Sequence, residues 1–419
     1  MVFLPSEILT AIFEEVIDIQ DLRKVRTASR TLCAAATPFA FRFLYVIATQ
    51  SSAQNLGRLF DVPEIAAHIR NVSYRDTGAD KEGTQNCGAS SDLHPVNDIP
   101  VNSQWRVMPV STSIISELAC LFSRVHQLPR LETINLMFYG NLLDRDGKDR
   151  LPLQGSILGA LATSFSIRAP PMLTSLSLKN LHPSALSSLD SPSFQTVMKT
   201  VRHLQLFMVL DLITGMDTLD HWCHFWGTLC PRIFLAPTQH SLTQLTLHSS
   251  AFLGASSGLS LRELHFPHLC ALSLRKLFFD RSVGAEYFIL RHASTLARLE
   301  LLMCRMPIHR RQQPIPIPGT SAILARDEEP GSGLDCWGDI WDRFAAELTA
   351  LVVLHVDEGQ SSPSVGTRSE YRYICPDPSV SYWEIDISAP PNIADAEALR
   401  RFQATVATQS RKFRMKSYQ

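Results

Sequence analysis

The feature that most constrains the fold of this 419-residue chain is a recurring pattern, apolar-x-x-apolar-x-apolar. From Leu131 onward, three of the six gaps between successive copies are 27 or 28 residues, and a fourth, of 55, is close to two such periods. Within a copy the last two apolar residues alternate with one that faces the other way, as in a half-buried strand. The copies begin at Ile69, Leu131, Leu173, Val201, Leu242, Leu269, Leu296 and Leu351, with a frayed last copy at Trp383.

The segments between the copies carry apolar residues at helical spacing, and Ser111-Thr112-Ser113 can supply an N-cap to the first of them. One strand and one covering helix every roughly 20–29 residues is typical of leucine-rich repeats. The pattern predicts an α/β fold in which an irregular leucine-rich-repeat solenoid over residues 49–390 buries a continuous core. An ordinary α/β sheet is the alternative. The helical stripes are Ile114, Leu118, Leu121, Phe122 and Val125; Trp222, Phe225, Trp226 and Leu229; and Trp337, Ile340, Trp341, Phe344 and Leu348.

Residues 1–48 form a different module, with a helical stripe that begins at Ile8 and a second one that runs from Leu22 to Leu32. Pro5 and Glu7 suit the first turn of the first helix. A helix pair of this length buries little of its own surface, so we expect it to dock on another part of the chain or on a partner.

This module resembles an F-box, through Leu4-Pro5-x-Glu7-Ile8-Leu9-x-x-Ile12-Phe13 and then Asp21-Leu22-x-x-Val25. The resemblance implies binding to a Skp-type adaptor of a cullin-RING ubiquitin ligase. Leu32 stands where the family often has Trp, which keeps the position apolar but changes the side chain. A plain helical cap on the repeats is the alternative. The residues implied in adaptor contact are Leu4, Pro5, Ile8, Leu9, Ile12, Phe13, Leu22, Val25 and Leu32.

Charge and cysteine usage predict the setting. Lys and Arg number 39 against 40 Asp and Glu, so no global bias favours nucleic acid or an anionic membrane. No signal peptide or membrane-spanning run is evident, and nine irregularly spaced Cys predict reduced thiols in the cytoplasm or nucleus. Residues 391–419 read as a basic helix or tail, which is more often a solvated face than an acidic-partner contact.

Two segments interrupt the repeats. Residues 77–104 are rich in Gly, Asn, Asp and Ser, and residues 307–333 contain alternating prolines and then Glu328-Glu329. Both compositions predict loops or insertions, because neither favours a regular helix or strand. Flexible surface decoration is the first interpretation of both segments, and partner contact is the alternative.

Two weak motifs could indicate chemistry. Gly254-Ala255-Ser256-Ser257-Gly258 matches the nucleophile elbow of hydrolases, but no strand runs directly into it. His221-Trp222-Cys223-His224 with Cys230 lacks the spacing of a zinc site. We therefore predict no catalytic residue, no metal and no cofactor.

The resemblance implies a substrate-recognition subunit of a Skp/cullin/F-box-type ligase, whose repeats bind a protein substrate and whose mechanism is tethering. A repeat scaffold without a ligase role is the first alternative. A cryptic hydrolase that uses Ser256 is the second.

Overall fold

The structure is a computed structural model of an α/β chain that divides into two compact units, residues 1–225 with 229–241 and residues 226–228 with 242–419. The residues it describes are 4–16, 18–76, 111–139, 151–183, 186–209, 216–254, 257–307, 336–357, 373–374 and 393–417.

The first unit alternates helices with strands after three opening helices. Its helices are α1 (Ser6–Glu15), α2 (Ile19–Arg26), α3 (Arg30–Ala40), α4 (Gln50–Phe60), α5 (Pro63–Ala66), α6 (Thr112–Phe122), α7 (Leu151–Ile167), α8 (Pro192–Met198) and α9 (Met216–His224). A π-helical segment, Phe225–Leu235, continues α9. Its strands are β1 (Phe43–Ile47), β2 (Asn71–Arg75), β3 (Thr133–Met137), β4 (Ser175–Leu181) and β5 (His203–Met208).

These five strands pair in chain order and all run parallel. The register places equivalent positions of the repeat opposite one another: Ile134 faces Leu176, which faces Leu204. All three side chains are buried, so the sequence period becomes a continuous apolar row across the sheet.

A second regularity marks the start of each strand. The carbonyl oxygen of Arg70 accepts hydrogen bonds from the backbone N–H groups of Glu132 and Thr133. The carbonyl oxygen of Glu132 accepts the equivalent two bonds from Thr174 and Ser175, at the start of β4. The carbonyl of Arg42 makes the equivalent pair of bonds to β2, so β1 belongs to the same series.

The predicted helices cover this sheet. Ser111 caps α6 by accepting the N–H of Ile114 at 3.4 Å, and Leu118 on that helix is fully buried. Tyr74 of β2 packs against Phe122 of α6, with ring centroids 5.8 Å apart in an edge-on arrangement.

The second unit repeats the design with four parallel strands in the order β6, β7, β8, β10. Leu245, Leu272, Leu299 and Leu354 lie opposite one another. Its elements are β6 (Gln244–Ser249), β7 (Ala271–Arg275), α10 (Ala285–Arg291), β8 (Arg298–Leu302), β9 (Met306–Pro307), α11 (Trp337–Glu347), β10 (Val353–Asp357), β11 (Tyr373–Ile374) and α12 (Ile393–Ser417). The short strands β9 and β11 pair with each other.

The long helix α12 is fixed to α11 at its base. Trp341 of α11 stacks on Phe402 at 6.1 Å between centroids, and Arg401 binds Asp342 through two bonds of 2.8 Å. The buried carboxylate of Asp395 accepts the N–H of Gly338 at 2.7 Å, so α12 caps the first turn of α11.

The strand predictions at the eight copies from Ile69 to Leu351 are confirmed, and β1 is a strand that was not predicted. The sheet therefore begins at Phe43, inside the range 1–48 assigned to the helical module. The single helix expected from Leu22 to Leu32 is two helices. The first ends at Arg26, and Ser29 caps the second, α3, by accepting the N–H of Leu32. The copy at Trp383 and nearly all of the two insertions lie outside the described residues.

Candidate functional site

Helix α1 carries two apolar stripes that face in different directions. Leu9 and Phe13 are 8% and 5% exposed. Leu4, just before the helix, and Ile8 and Ile12 within it are 50%, 47% and 46% exposed. Ile8 and Ile12 are four residues apart and therefore lie on one face of the helix. Together with Leu4, which precedes the helix, they are called the exposed stripe.

The inward stripe closes a small core with α2 and α3. Phe13 lies 6.4 Å from Phe39 between ring centroids, and Leu22 is 2% exposed. The buried members of this core are Leu9, Phe13, Leu22, Ala36 and Ala40, with Val16, Val25, Leu32, Ala35, Phe39 and Phe41 packed against them. The three helices, residues 6–40, are called the helix trio. Their side chains form an apolar core that does not include the exposed stripe.

Polar contacts hold the trio together. Asp18 caps α2 by accepting the N–H of Gln20 at 2.7 Å. Arg26 donates from Nε to the Thr37 hydroxyl at 3.0 Å and lies 4.5 Å from the centre of the Phe41 ring. The contacts of Arg26 connect α2 with α3, on which α1 packs.

The structure separates the nine predicted adaptor-contact residues into two groups. Leu4, Pro5, Ile8 and Ile12 are exposed on one side of α1. The other five, Leu9, Phe13, Leu22, Val25 and Leu32, lie in or against the core of the trio. The position of Leu32, where the family often has Trp, is half-buried and contributes to this core.

Most outward positions of strands β2 to β5 are polar, with Met137 and Phe207 as apolar exceptions. Asn135 donates to the Ser73 hydroxyl at 3.5 Å, and Ser177 donates to Gln205 at 2.9 Å. Over β1 to β5, no carboxylate occurs in the strands, whereas Arg75 and Lys179 do. Burial lowers the pKa of Lys179. The surface therefore offers amides, hydroxyls and two cationic side chains to a ligand.

The edge of this surface at β1 is apolar. Phe43, Tyr45 and Ile47 are 41%, 64% and 39% exposed, in alternation with buried Leu44 and Val46. A groove of about 400 Å³ runs beside the strand. It is lined by residues that include Arg23, Tyr45, Asn55 and Leu59. The sequence pattern did not predict this feature, although four of its five residues, Phe43, Tyr45, Val46 and Ile47, are of types that favour strands.

The hydrolase-like motif has a structural explanation in its described part. The Ser257 hydroxyl donates to the carbonyl of Gly254 at 2.7 Å and accepts the N–H of the same glycine at 3.2 Å. A Cβ atom at Gly254 would collide with the ring of Phe278, so glycine is required there by packing. Ser256 itself lies outside the described residues.

The His and Cys residues near α9 do not converge. His221 and His224 are exposed, whereas Cys230 is fully buried and burial raises the pKa of its thiol. Over the ranges that the structure describes, no three His, Cys, Asp or Glu side chains are grouped as metal ligands. Within those same ranges, no helix combines the length and apolarity needed to cross a bilayer.

No protein-family model matches the sequence, and no curated protein matches it significantly.

Proposed function

We propose that this chain is the substrate-recognition subunit of a Skp/cullin/F-box-type ubiquitin ligase. In this proposal the helix trio is an F-box that binds a Skp-type adaptor, and the two units form an irregular leucine-rich-repeat solenoid that binds a protein substrate. The chain then acts by holding the substrate near a conjugating enzyme supplied by the complex, which raises the effective concentration of the substrate lysine.

The observation that carries the proposal is the exposed stripe of α1. Leu4, Ile8 and Ile12 are each about half exposed, although the trio already has a closed core. Exposed aliphatic surface beside a closed core is typical of a protein-binding site. It also coincides with the part of the sequence that resembles the F-box.

The burial of these residues supports two different roles within that motif. In the proposal Leu4, Pro5, Ile8 and Ile12 contact the adaptor directly. The five remaining motif residues position α1 from inside the trio, since they lie in or against its core.

The polar outward face of the first unit supports the second half of the proposal. Asn135 and Gln205 offer amides, and Arg75 and Lys179 offer cations, on a surface whose strands contain no carboxylate. Such a face suits a polar or acidic protein segment better than an apolar one.

Capture of a purified Skp-type adaptor by the full chain tests the proposal. We expect the wild type to retain the adaptor. The Ile8→Asp/Ile12→Asp variant should lose at least tenfold in affinity, because two aliphatic side chains that the interface would bury are replaced by charged ones. Ile167→Asp is the matched control, since Ile167 is 62% exposed on a different helix. No retention by the wild type, or equal retention by both Asp variants, would overturn the F-box assignment and leave a repeat scaffold.

A further inference from the structure

Strand β1 has an open edge. It is the first strand in the order of the sheet and pairs with β2 on one side, and no strand of the described chain lies on its other side. The carbonyl oxygen of Arg42 accepts the N–H of Asn71, so the even-numbered residues of β1 direct their backbone groups toward β2. The N–H and C=O groups of Phe43 and Tyr45 therefore point to the open side.

The groove beside β1 extends along the same edge and reaches both faces of the strand. Its lining includes Tyr45 on the outward face, and Leu44, Leu56 and Leu59 on the face that α4 covers. Successive side chains of a strand point to opposite faces, so a strand added here would direct every second side chain toward these leucines. The groove therefore fits an extended segment with apolar residues at alternate positions.

Cationic side chains accompany this edge. Arg23 of α2 lines the groove, and Arg42, directly before β1, places its guanidinium group 5.6 Å from the centre of the Phe43 ring. Both arginines are exposed, and neither forms an ion pair with another described residue. Among the described residues that line the groove, none is Asp or Glu. This charge favours an occupant with acidic side chains.

We propose that the open edge of β1 binds an extended, acidic segment of a partner protein, which adds to the sheet as a further strand. The backbone of the segment bonds to Phe43 and Tyr45, its inward apolar side chains cover Leu44 and Leu59, and its acidic side chains lie near the arginines. The site does not use the exposed stripe of α1, so it is independent of the adaptor proposal.

A second copy of the chain fits this edge less well. Its own β1 would arrive with Leu44 and Val46 only 9% and 1% exposed in its own core, so no side chain of that strand could enter the inner part of the groove. It would also bring another Arg23 and Arg42 to an edge that is already cationic.

Fluorescence anisotropy with the full chain tests the charge of the occupant. The probe is fluorescein-labelled Glu-Val-Thr-Val-Thr-Val-Glu, and Lys-Val-Thr-Val-Thr-Val-Lys is its basic counterpart. We expect the acidic probe to bind at least tenfold more tightly than the basic one at about 0.1 M NaCl. Arg23→Glu should weaken binding of the acidic probe about tenfold. Arg30→Glu, the same charge change at an exposed residue of α3 outside the groove, should alter the Kd less than about threefold.

Proline at position 45 tests the addition of a strand. Tyr45→Pro removes an outward N–H without removing a bond to β2, and proline is tolerated on edge strands in this orientation. It should weaken binding of the acidic probe at least tenfold. Tyr45→Val keeps the N–H and the preference for a strand, so it should weaken binding only about threefold. Unchanged hydrogen exchange in β2 would show that both variants keep the sheet intact.

Three results would overturn the proposal: no binding of the acidic probe, equal binding of the two peptides, or equal losses in Tyr45→Pro and Tyr45→Val. A dimer that excludes the probe and dissociates in Tyr45→Pro would overturn it in favour of a second copy. If Tyr45→Pro loosens β2, the comparison of Arg23→Glu with Arg30→Glu decides, and equal effects of these two would count against the site.

Discussion

Phe13 and Ile12 are neighbours in α1, and truncating each to alanine should have very different consequences. Phe13 is 5% exposed in the core of the trio, so Phe13→Ala should cost about 3–5 kcal/mol through lost burial and a cavity. Ile12 is 46% exposed, so Ile12→Ala leaves no cavity and should cost less than about 1 kcal/mol.

The size of the trio makes the first loss decisive. At ~0.05–0.15 kcal/mol per residue, a segment of about 35 residues contributes roughly 2–5 kcal/mol to the free energy of unfolding. Phe13→Ala removes most or all of that share. The strands of the first unit have a separate core of side chains such as Ile134 and Leu176, so they should remain folded.

Amide hydrogen exchange, read by mass spectrometry on the full chain, separates these events. In Phe13→Ala, exchange in residues 19–40 should accelerate about a hundredfold, whereas exchange in β3 should not change. In Ile12→Ala, both regions should stay within about fivefold of the wild type. Equal effects of the two substitutions, or a loosening of β3 together with the trio, would refute the division of α1 into a core stripe and an exposed stripe.

Three further predictions concern the second unit. His292 is buried, its Nε2 accepts the N–H of Phe266 at 2.9 Å, and burial lowers its pKa, so the unfolded state takes up the proton first as the pH falls through about 6.5. The unfolding free energy measured in urea should therefore fall from pH 7.5 to pH 5.5, and less steeply in His292→Gln. Gly254→Ala should lower the thermal midpoint by an amount equivalent to about 1–3 kcal/mol, because the new Cβ meets the Phe278 ring; no shift would exclude that contact. Asp395→Ala should cost about 1–3 kcal/mol in urea unfolding by leaving a buried N–H of α11 without its acceptor, and Asp395→Asn should restore part of this; equal costs would refute the capping role.

The strands could be predicted because one pattern specifies both burial and register. Each Leu-x-x-Leu-x-Leu copy places its apolar residues on one face, and neighbouring copies then align position by position, as Leu272 does with Leu245 and Leu299. The strand β1 fits the same pattern as Phe41-x-x-Leu44-x-Val46, 28 residues before Ile69. The repeat pattern does not predict it, because residues 1–48 also carry the helical stripes and the F-box resemblance.

The trio was harder to predict in detail, because helical periodicity indicates that a face is apolar without indicating what covers it. Ile8, Leu9, Ile12 and Phe13 form one broad stripe in the sequence. Only the packing of α2 and α3 against one half of it decides that Leu9 and Phe13 turn inward. The break before Ser29 likewise depended on a cap bond that the apolar spacing does not reveal.

The arrangement of α1 leaves the exposed stripe outside the core of the trio. Ile8 lies beside Leu9, so a polar residue at position 8 would leave the core of the trio intact and reduce the apolar surface in contact with water. Folding stability and solubility alone would therefore favour polar residues at positions 4, 8 and 12. Three exposed aliphatic residues at these positions run against both preferences. The adaptor that we propose would bury these residues and so give a reason for them, and the adaptor-capture experiment with Ile8→Asp/Ile12→Asp tests that proposal directly.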